Sequence, residues 1–364
     1  MAAGYYLNLQ KGGISRIMKK IKTAIVGLGR IGWGFHLPEV RKHSDRFILA
    51  AVVDPLPERH VEVRKLCDAA CFCDYADMLK KICPELVVVA SPTHVHAEQV
   101  MAALEQGSDV FCDKPLAPDL AMADAMIEVA RRTGRKLMVY QPHRATDIAV
   151  GARDIISRGI LGPIYMIKAA LSAYTRRNDW QAWRQYGGGM LNNYGAHLID
   201  QLLYLADDKA MRLRCHLRTI ASLGDADDVV KLVMETERGL ILDLDINMAT
   251  AYAFTPLMIL GKHGTLRYDA ETRTFMVKIH NPDLLAREQA SMELAAKDRN
   301  YGNAEKLSWE ELRIPAGNYA TVDFYEKVYE YLALDAPPFV PLAETRELMR
   351  ILDACRGNSA PTRN

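Results

Sequence analysis

From residue 22 to about residue 145, short apolar runs alternate with stretches whose apolar positions recur at helical spacing. The runs "TAIVG", "FILAAVVD", "LVVVAS", "DVFCD" and "KLMVY" are continuous rather than alternating, the pattern of strands covered on both faces. Between them, "DLAMADAMIEVARR" at 119–132 opens on an acid suited to capping a helix and closes on arginines that complement the helix dipole. Strand and helix in regular alternation predict a doubly wound parallel sheet. Beyond residue 150 the texture changes. Helical spacing at 145–157 and 190–206 accompanies "IYMIKAAL", "VVKLVMET" and "LILDLDINM", which predict strands of a mainly antiparallel sheet in an α+β unit. "YATVDFYEKVYEYLAL" and "PLAETRELMRILDACR" return to helical spacing, the second with proline at its start.

Length supports this division, because 364 residues exceed the size at which one hydrophobic core stops growing. Charge removes two classes of partner. With 46 basic and 45 acidic residues and no long single-sign run, nothing suits a nucleic-acid backbone or an anionic membrane. The longest apolar runs fall well short of the roughly 20 residues that span a bilayer. The first twenty residues lack the apolar core of a signal peptide and read as a poorly ordered leader. Seven cysteines at irregular spacings form neither a disulfide framework nor paired zinc ligands, so reduced thiols, a cytoplasmic location and no metal are expected.

Candidate chemistry begins directly after the first strand with Gly27, Leu28, Gly29, Arg30, Ile31 and Gly32. In G-x-G-x-x-G the first glycine permits the turn, the second admits a pyrophosphate, and the third lets the helix approach the sheet. The second strand ends in Asp54, whose carboxylate suits both hydroxyls of an adenosine ribose and repels a 2′-phosphate. NAD is therefore expected, with NADP left open. The fifth strand ends in "CDKP", which delivers Asp113 and Lys114 to the carboxyl edge of the sheet, where ligands of open α/β sheets bind. In "GGGMLNNYGAHLID", 187–200, helical spacing makes Asn193 and His197 neighbours one turn apart, with Asp200 further along the same face.

Taken together, "GLGRIG", "SPTHVHAE", "CDKP" and "GGGMLNNYGAHLID" resemble the motifs of the glucose-fructose oxidoreductase, inositol dehydrogenase and rhizopine-catabolism (Gfo/Idh/MocA) family, over essentially the whole chain from about residue 20. The resemblance implies a Rossmann domain over 21–145 and, over 146–364, an α+β domain with a large open sheet that binds substrate and forms oligomers. It also implies C-terminal helices that pack back on the first domain, and a homodimer or homotetramer. It implies an NAD(P)-dependent oxidoreductase acting on a secondary hydroxyl of a sugar, sugar derivative or cyclitol. Lys114 would position the hydroxyl and His197 would take its proton; Ser91, Thr93, His96 and Asp113 would line the cofactor.

Gln141 and Arg144 are expected at the mouth of the cleft, and the upstream loop brings Tyr174, Arg176 and Trp183 toward a hydroxylated ring. A polar loop crossing the sheet with its tryptophans packed beneath remains the alternative. Asn193 departs from the resemblance, since relatives carry aspartate there; an amide accepts a hydrogen bond from the imidazole but brings no charge. Two other activities stay open: a glycoside hydrolase that uses transient sugar oxidation, and a dinucleotide sensor without turnover.

Overall fold

The computed structural model describes residues 19–285, 292, 307–358 and 362–363, so most of the expected leader lies outside the described residues. Of the leader, the Lys19 carbonyl accepts a hydrogen bond from the Tyr329 hydroxyl at 3.0 Å. The first half runs β1 (Ile21–Val26), α1 (Leu37–Lys42), β2 (Phe47–Val53), α2 (Pro57–Arg64), β3 (Ala70–Phe72), α3 (Tyr75–Ile82), β4 (Leu86–Val89), α4 (His96–Glu105), β5 (Asp109–Cys112), α5 (Leu120–Thr133) and β6 (Leu137–Val139). These six strands form one parallel sheet in the order β3-β2-β1-β4-β5-β6. The order reverses between β1 and β4, and a crevice opens there at the carboxyl edge. Every residue of β4 is buried, as its unbroken apolar run requires.

The second half follows as α6 (Asp147–Ser157), β7 (Ile164–Ser172), α7 (Ala196–Ala206), β8 (Ala210–Thr219), β9 (Val229–Thr236), β10 (Ile241–Asn247), β11 (Leu257–Gly261), β12 (Gly264–Asp269), β13 (Thr274–His280), β14 (Trp309–Pro315), α8 (Phe324–Leu334), α9 (Leu342–Asn358) and β15 (Thr362–Arg363). Its nine-stranded sheet has the order β14-β13-β12-β11-β7-β10-β9-β8-β15. Pairing is antiparallel except for β10 with β7 and β15 with β8. In β9, Val230, Leu232 and Met234 are buried while Lys231, Val233 and Glu235 between them are not, so one face meets the helices and the other stays open.

Two C-terminal helices pack back on the first half, and the second of them also packs on the second half. In α8, Phe324, Tyr325, Val328 and Tyr329 enter the core beneath the parallel sheet beside Ile25, Phe47 and Phe111. Tyr325 also bonds the buried His36 at 2.9 Å. Its cap, Asp323, meets His43 at 2.9 Å and Lys42 at 3.3 Å on α1. The helix α9 packs against α5 and β6 of the first half and against α7 and β8 of the second. Among the described residues, no helix is long and apolar enough to cross a membrane.

Candidate active site

The nucleotide loop is shaped by close approach. Gly27 has φ +89°, and a Cβ there would lie 2.7 Å from both the Ala90 oxygen and the Ser91 nitrogen; at Gly32 it would overlap the Gly27 carbonyl. Nothing lies within 4 Å of the corresponding position on Gly29, so the chain leaves room there for a pyrophosphate. Asp54, only 1 % exposed, closes the loop from below. Its carboxylate accepts from Leu28 N–H at 2.8 Å, Leu56 N–H at 3.0 Å and Arg59 Nη1 at 2.7 Å. Burial pushes this carboxyl up, but Arg59 and the two N–H groups together hold it below its usual value. Three of the carboxylate's roughly four acceptor positions are thus filled within the chain, two of them on Oδ2, which leaves capacity on Oδ1 for one further donor such as a ribose hydroxyl.

At the ends of β4 and β5, Ser91 Oγ donates to Gln99 Oε1 at 2.5 Å, and Thr93 opens a short 3₁₀ turn. His96, expected at the nicotinamide ribose, is buried instead. Its ring nitrogens face the Ser91 carbonyl at 2.8 Å and the Pro115 carbonyl at 3.1 Å, so it clasps the two strand-end loops together. Asp113 accepts from the Lys114 N–H at 2.7 Å. The Lys114 ammonium reaches across to the second half and donates to the Asn193 carbonyl at 2.7 Å. Burial lowers its pKa to about 8, with Asp113 opposing and Arg30 reinforcing the shift.

The glycine run 187–189 has a steric origin. A Cβ on Gly188 would overlap the Gln181 carbonyl, and one on Gly189, at φ +104°, would overlap the Asp227 carboxylate. Asp227 in turn accepts from Leu191 N–H at 2.8 Å, and its carbonyl accepts from Met190 N–H at 2.8 Å. This buried carboxyl is pushed up to about 6. The expected helix over 190–206 starts with a π-wound turn, Leu191–Gly195, before α7. The helix after the nucleotide loop also contains a π turn, Gly32–His36; such turns recur at functional sites.

The wide turn carries Asn193 and α7 carries His197, the two residues that α-helical spacing placed together. Asn193 Nδ2 donates to Gln181 Oε1 at 3.1 Å rather than meeting His197. The His197 Nδ1 is buried without a hydrogen-bond partner among the described residues. Its ring lies flat against that of His143, with centroids 4.4 Å apart and planes 5° apart. Burial, Lys114, His143 and Arg30 all depress His197 well below the ordinary histidine value; burial and Lys114 bring His143 to about 4.

Arg144 corrects another expectation. It is 2 % exposed and makes a two-pronged pair with Asp200, at 2.6 and 2.7 Å, plus a contact to Glu344. Its guanidinium is thereby withdrawn from any substrate. Gln141 is buried, and neither of its amide atoms has a hydrogen-bond partner among the described residues. Tyr174, Arg176 and Trp183 are exposed on the loop that the glycines close, with Gly188 N–H bonded to the Trp183 carbonyl at 3.0 Å. Trp180 and Trp183 are about half exposed, so each presents part of its indole to solvent. Sequence reasoning passed over His143, Gln181, Arg59 and Asp227. His143 alone carried a signal, its place just after a strand end between Gln141 and Arg144.

Comparison with known proteins bears on this geometry. Residues 21–141 match the oxidoreductase family with an NAD-binding Rossmann fold, and residues 150–267 match the GFO/IDH/MocA C-terminal domain. D-glucoside 3-dehydrogenase of Escherichia coli is 28% identical over 53% of this chain and 56% of its own. The scyllo-inositol 2-dehydrogenase (NADP(+)) of Bacillus subtilis is 29% identical over 55% of each. The matched stretch thus spans about half the length of these curated relatives. An NAD-binding protein from Listeria innocua superposes with a TM-score of 0.78 at 23% identity, covering 93% of this chain and 95% of its own, which shows the shared fold.

Proposed function

Because the chain belongs to the Gfo/Idh/MocA oxidoreductase family, we propose that it moves hydride between a secondary hydroxyl of a sugar, sugar derivative or cyclitol and a nicotinamide dinucleotide. The observation that carries this reading is the convergence of Lys114, from the end of β5, with His197 of α7 across the carboxyl edge of the nucleotide-binding sheet. The dinucleotide supplies the hydride acceptor. The open space at Gly29 fits its pyrophosphate; Asp54 and Arg59 would hold its adenosine end, and Arg30, whose charge reaches Lys114 and His197, would lie on the catalytic side of the loop.

Lys114 is a cation in a largely dry setting, already donating to one carbonyl. Its remaining N–H groups suit a substrate hydroxyl, and its charge favours the developing alkoxide. His197, neutral at working pH, takes the hydroxyl proton on Nε2, because Nδ1 is enclosed. The exposed Tyr174, Trp180 and Trp183 offer flat apolar faces to a sugar ring, and Arg176 a charge at its rim. The relatives named for a glucoside and for an inositol support this substrate class.

The test is NADH and NADPH formation against a panel of sugars, glycosides and cyclitols. A substrate should emerge whose turnover falls about a hundredfold or more in both Lys114→Ala and His197→Ala, with dinucleotide binding retained. Aglycone release without net reduced cofactor would replace simple oxidation by redox-assisted hydrolysis. Dinucleotide binding without any turnover would leave a sensor.

A further inference from the structure

The inventory of the site leaves one ring without a task. His143 lies in the 3₁₀ turn Pro142–Ala145, immediately beyond the carboxyl end of β6. Its imidazole covers that of His197 from the other half of the molecule, at 4.4 Å and 5°. No hydrogen bond from the described residues steadies the His197 ring: Nδ1 is closed off without a partner, and the Asn193 side chain is held by Gln181. A base that must present one nitrogen in a fixed direction needs some orienting contact.

We propose that His143 is a positioning residue for His197: the stacked ring holds the catalytic imidazole with Nε2 toward the cleft and gives the proton taken there a neutral aromatic face. The charges around the pair fit this division of work. Lys114 at the end of β5 faces both rings, and Arg30 in the nucleotide loop adds its charge at His197. Asp200, three residues beyond His197 on α7, is bound by Arg144, as is Glu344 of α9. Asp113 faces Lys114 and His96. In this cationic setting both imidazoles rest neutral, and a second proton on the pair is repelled by the first. When His197 takes the hydroxyl proton, a neutral His143 presents a π face to the new cation, an attractive arrangement. A protonated His143 would repel it.

The kinetic arm of the test rests on the hydride-transfer reading; the spectroscopic arm does not. Protein labelled with ¹⁵N in histidine is titrated by NMR, with His143→Phe, His143→Ala and His197→Gln providing assignments. In the unsubstituted protein the His197 ring should stay neutral, in a single tautomer, through the range near 6.5 where a free histidine titrates. His143→Phe keeps the flat apolar cover and should preserve that behaviour. His143→Ala removes it and admits water, so the His197 titration should rise toward the free value and the tautomers should mix. On a substrate found by the panel, His143→Ala should lower kcat by roughly ten- to a hundredfold with the dinucleotide KM unchanged, whereas His143→Phe stays within a few-fold. The proposal is overturned if His143→Ala leaves the His197 titration and tautomer as they were, or if Phe and Ala behave alike. If the NMR differences appear but no sugar or cyclitol is oxidised, hydride transfer fails while the positioning contact stands.

Discussion

Lys114 shows how one side chain can weaken the fold in order to serve a site. An ammonium loses hydration on burial, and here the loss exceeds what the Asn193 carbonyl and Asp113 return, so the group releases its proton near pH 8 instead of 10.5. The folded state therefore holds the charged form less well than the unfolded chain does. The penalty is full below pH 8, fades as pH rises toward 10.5, and is gone above it, where both states are neutral. Lys114→Met should raise stability at pH 7 by up to roughly 3 kcal/mol while removing turnover. Urea denaturation at pH 7 and pH 10 checks the sign: the gain should shrink at the higher pH. A gain that grew with pH would mean that the ammonium is not penalised in the fold.

At the scale of elements, the glycine loop and the π-wound turn place α7. Gly187 and Gly189 both have positive φ, but only Gly189 abuts another group, the Asp227 carboxylate that also anchors Leu191 N–H. Gly187→Ala should cost only about 1 kcal/mol of backbone strain. Gly189→Ala adds a steric conflict and should cost more than about 2 kcal/mol while disturbing His197. Thermal unfolding and dinucleotide-dependent turnover of the two variants would separate strain from displacement.

The same elements mark how far the chain could be read beforehand. Five strands of the parallel sheet were plain because their apolar runs are continuous, and α5 because Asp119 and its terminal arginines punctuate it. The strand β8 was not legible: in "AMRLRCHLRT" the arginines of an open sheet face interrupt the apolar signal. Lys114 and His197 came from motif spacing. Their partners did not, because a π turn breaks the helical spacing on which the pairing of Asn193 with His197 relied, and because His143 meets His197 only through tertiary packing. Arg144 misled for a related reason. Its position after a strand end was read correctly, but its burial depends on Asp200 and Glu344, 56 and 200 residues away.

At the scale of the molecule, that buried cluster is what fastens the two halves beside the site. Arg144 follows the last strand of the parallel sheet, Asp200 lies on α7, and Glu344 stands at the start of α9, which packs against both halves. Hiding charges costs several kcal/mol each, so the pair adds little net stability but makes either half of it intolerable alone. Arg144→Met should destabilise the protein by about 3–5 kcal/mol, because Asp200, 1 % exposed, would keep a carboxyl with no partner. Asp200→Leu should be similarly damaging through the stranded guanidinium, relieved only in part by Glu344 at the surface. The double variant, apolar on both sides, should recover most of the loss, and a double-mutant cycle in urea would measure the coupling. Recovery of stability need not bring recovery of activity. The Arg144 turn carries His143 and the Asp200 helix carries His197, so the ion pair also sets the register in which the two rings meet. If the double variant folds as well as the unsubstituted protein but its His197 tautomers mix, the buried charges act chiefly to align the two halves of the site; if the tautomers stay fixed, the ring stack aligns itself.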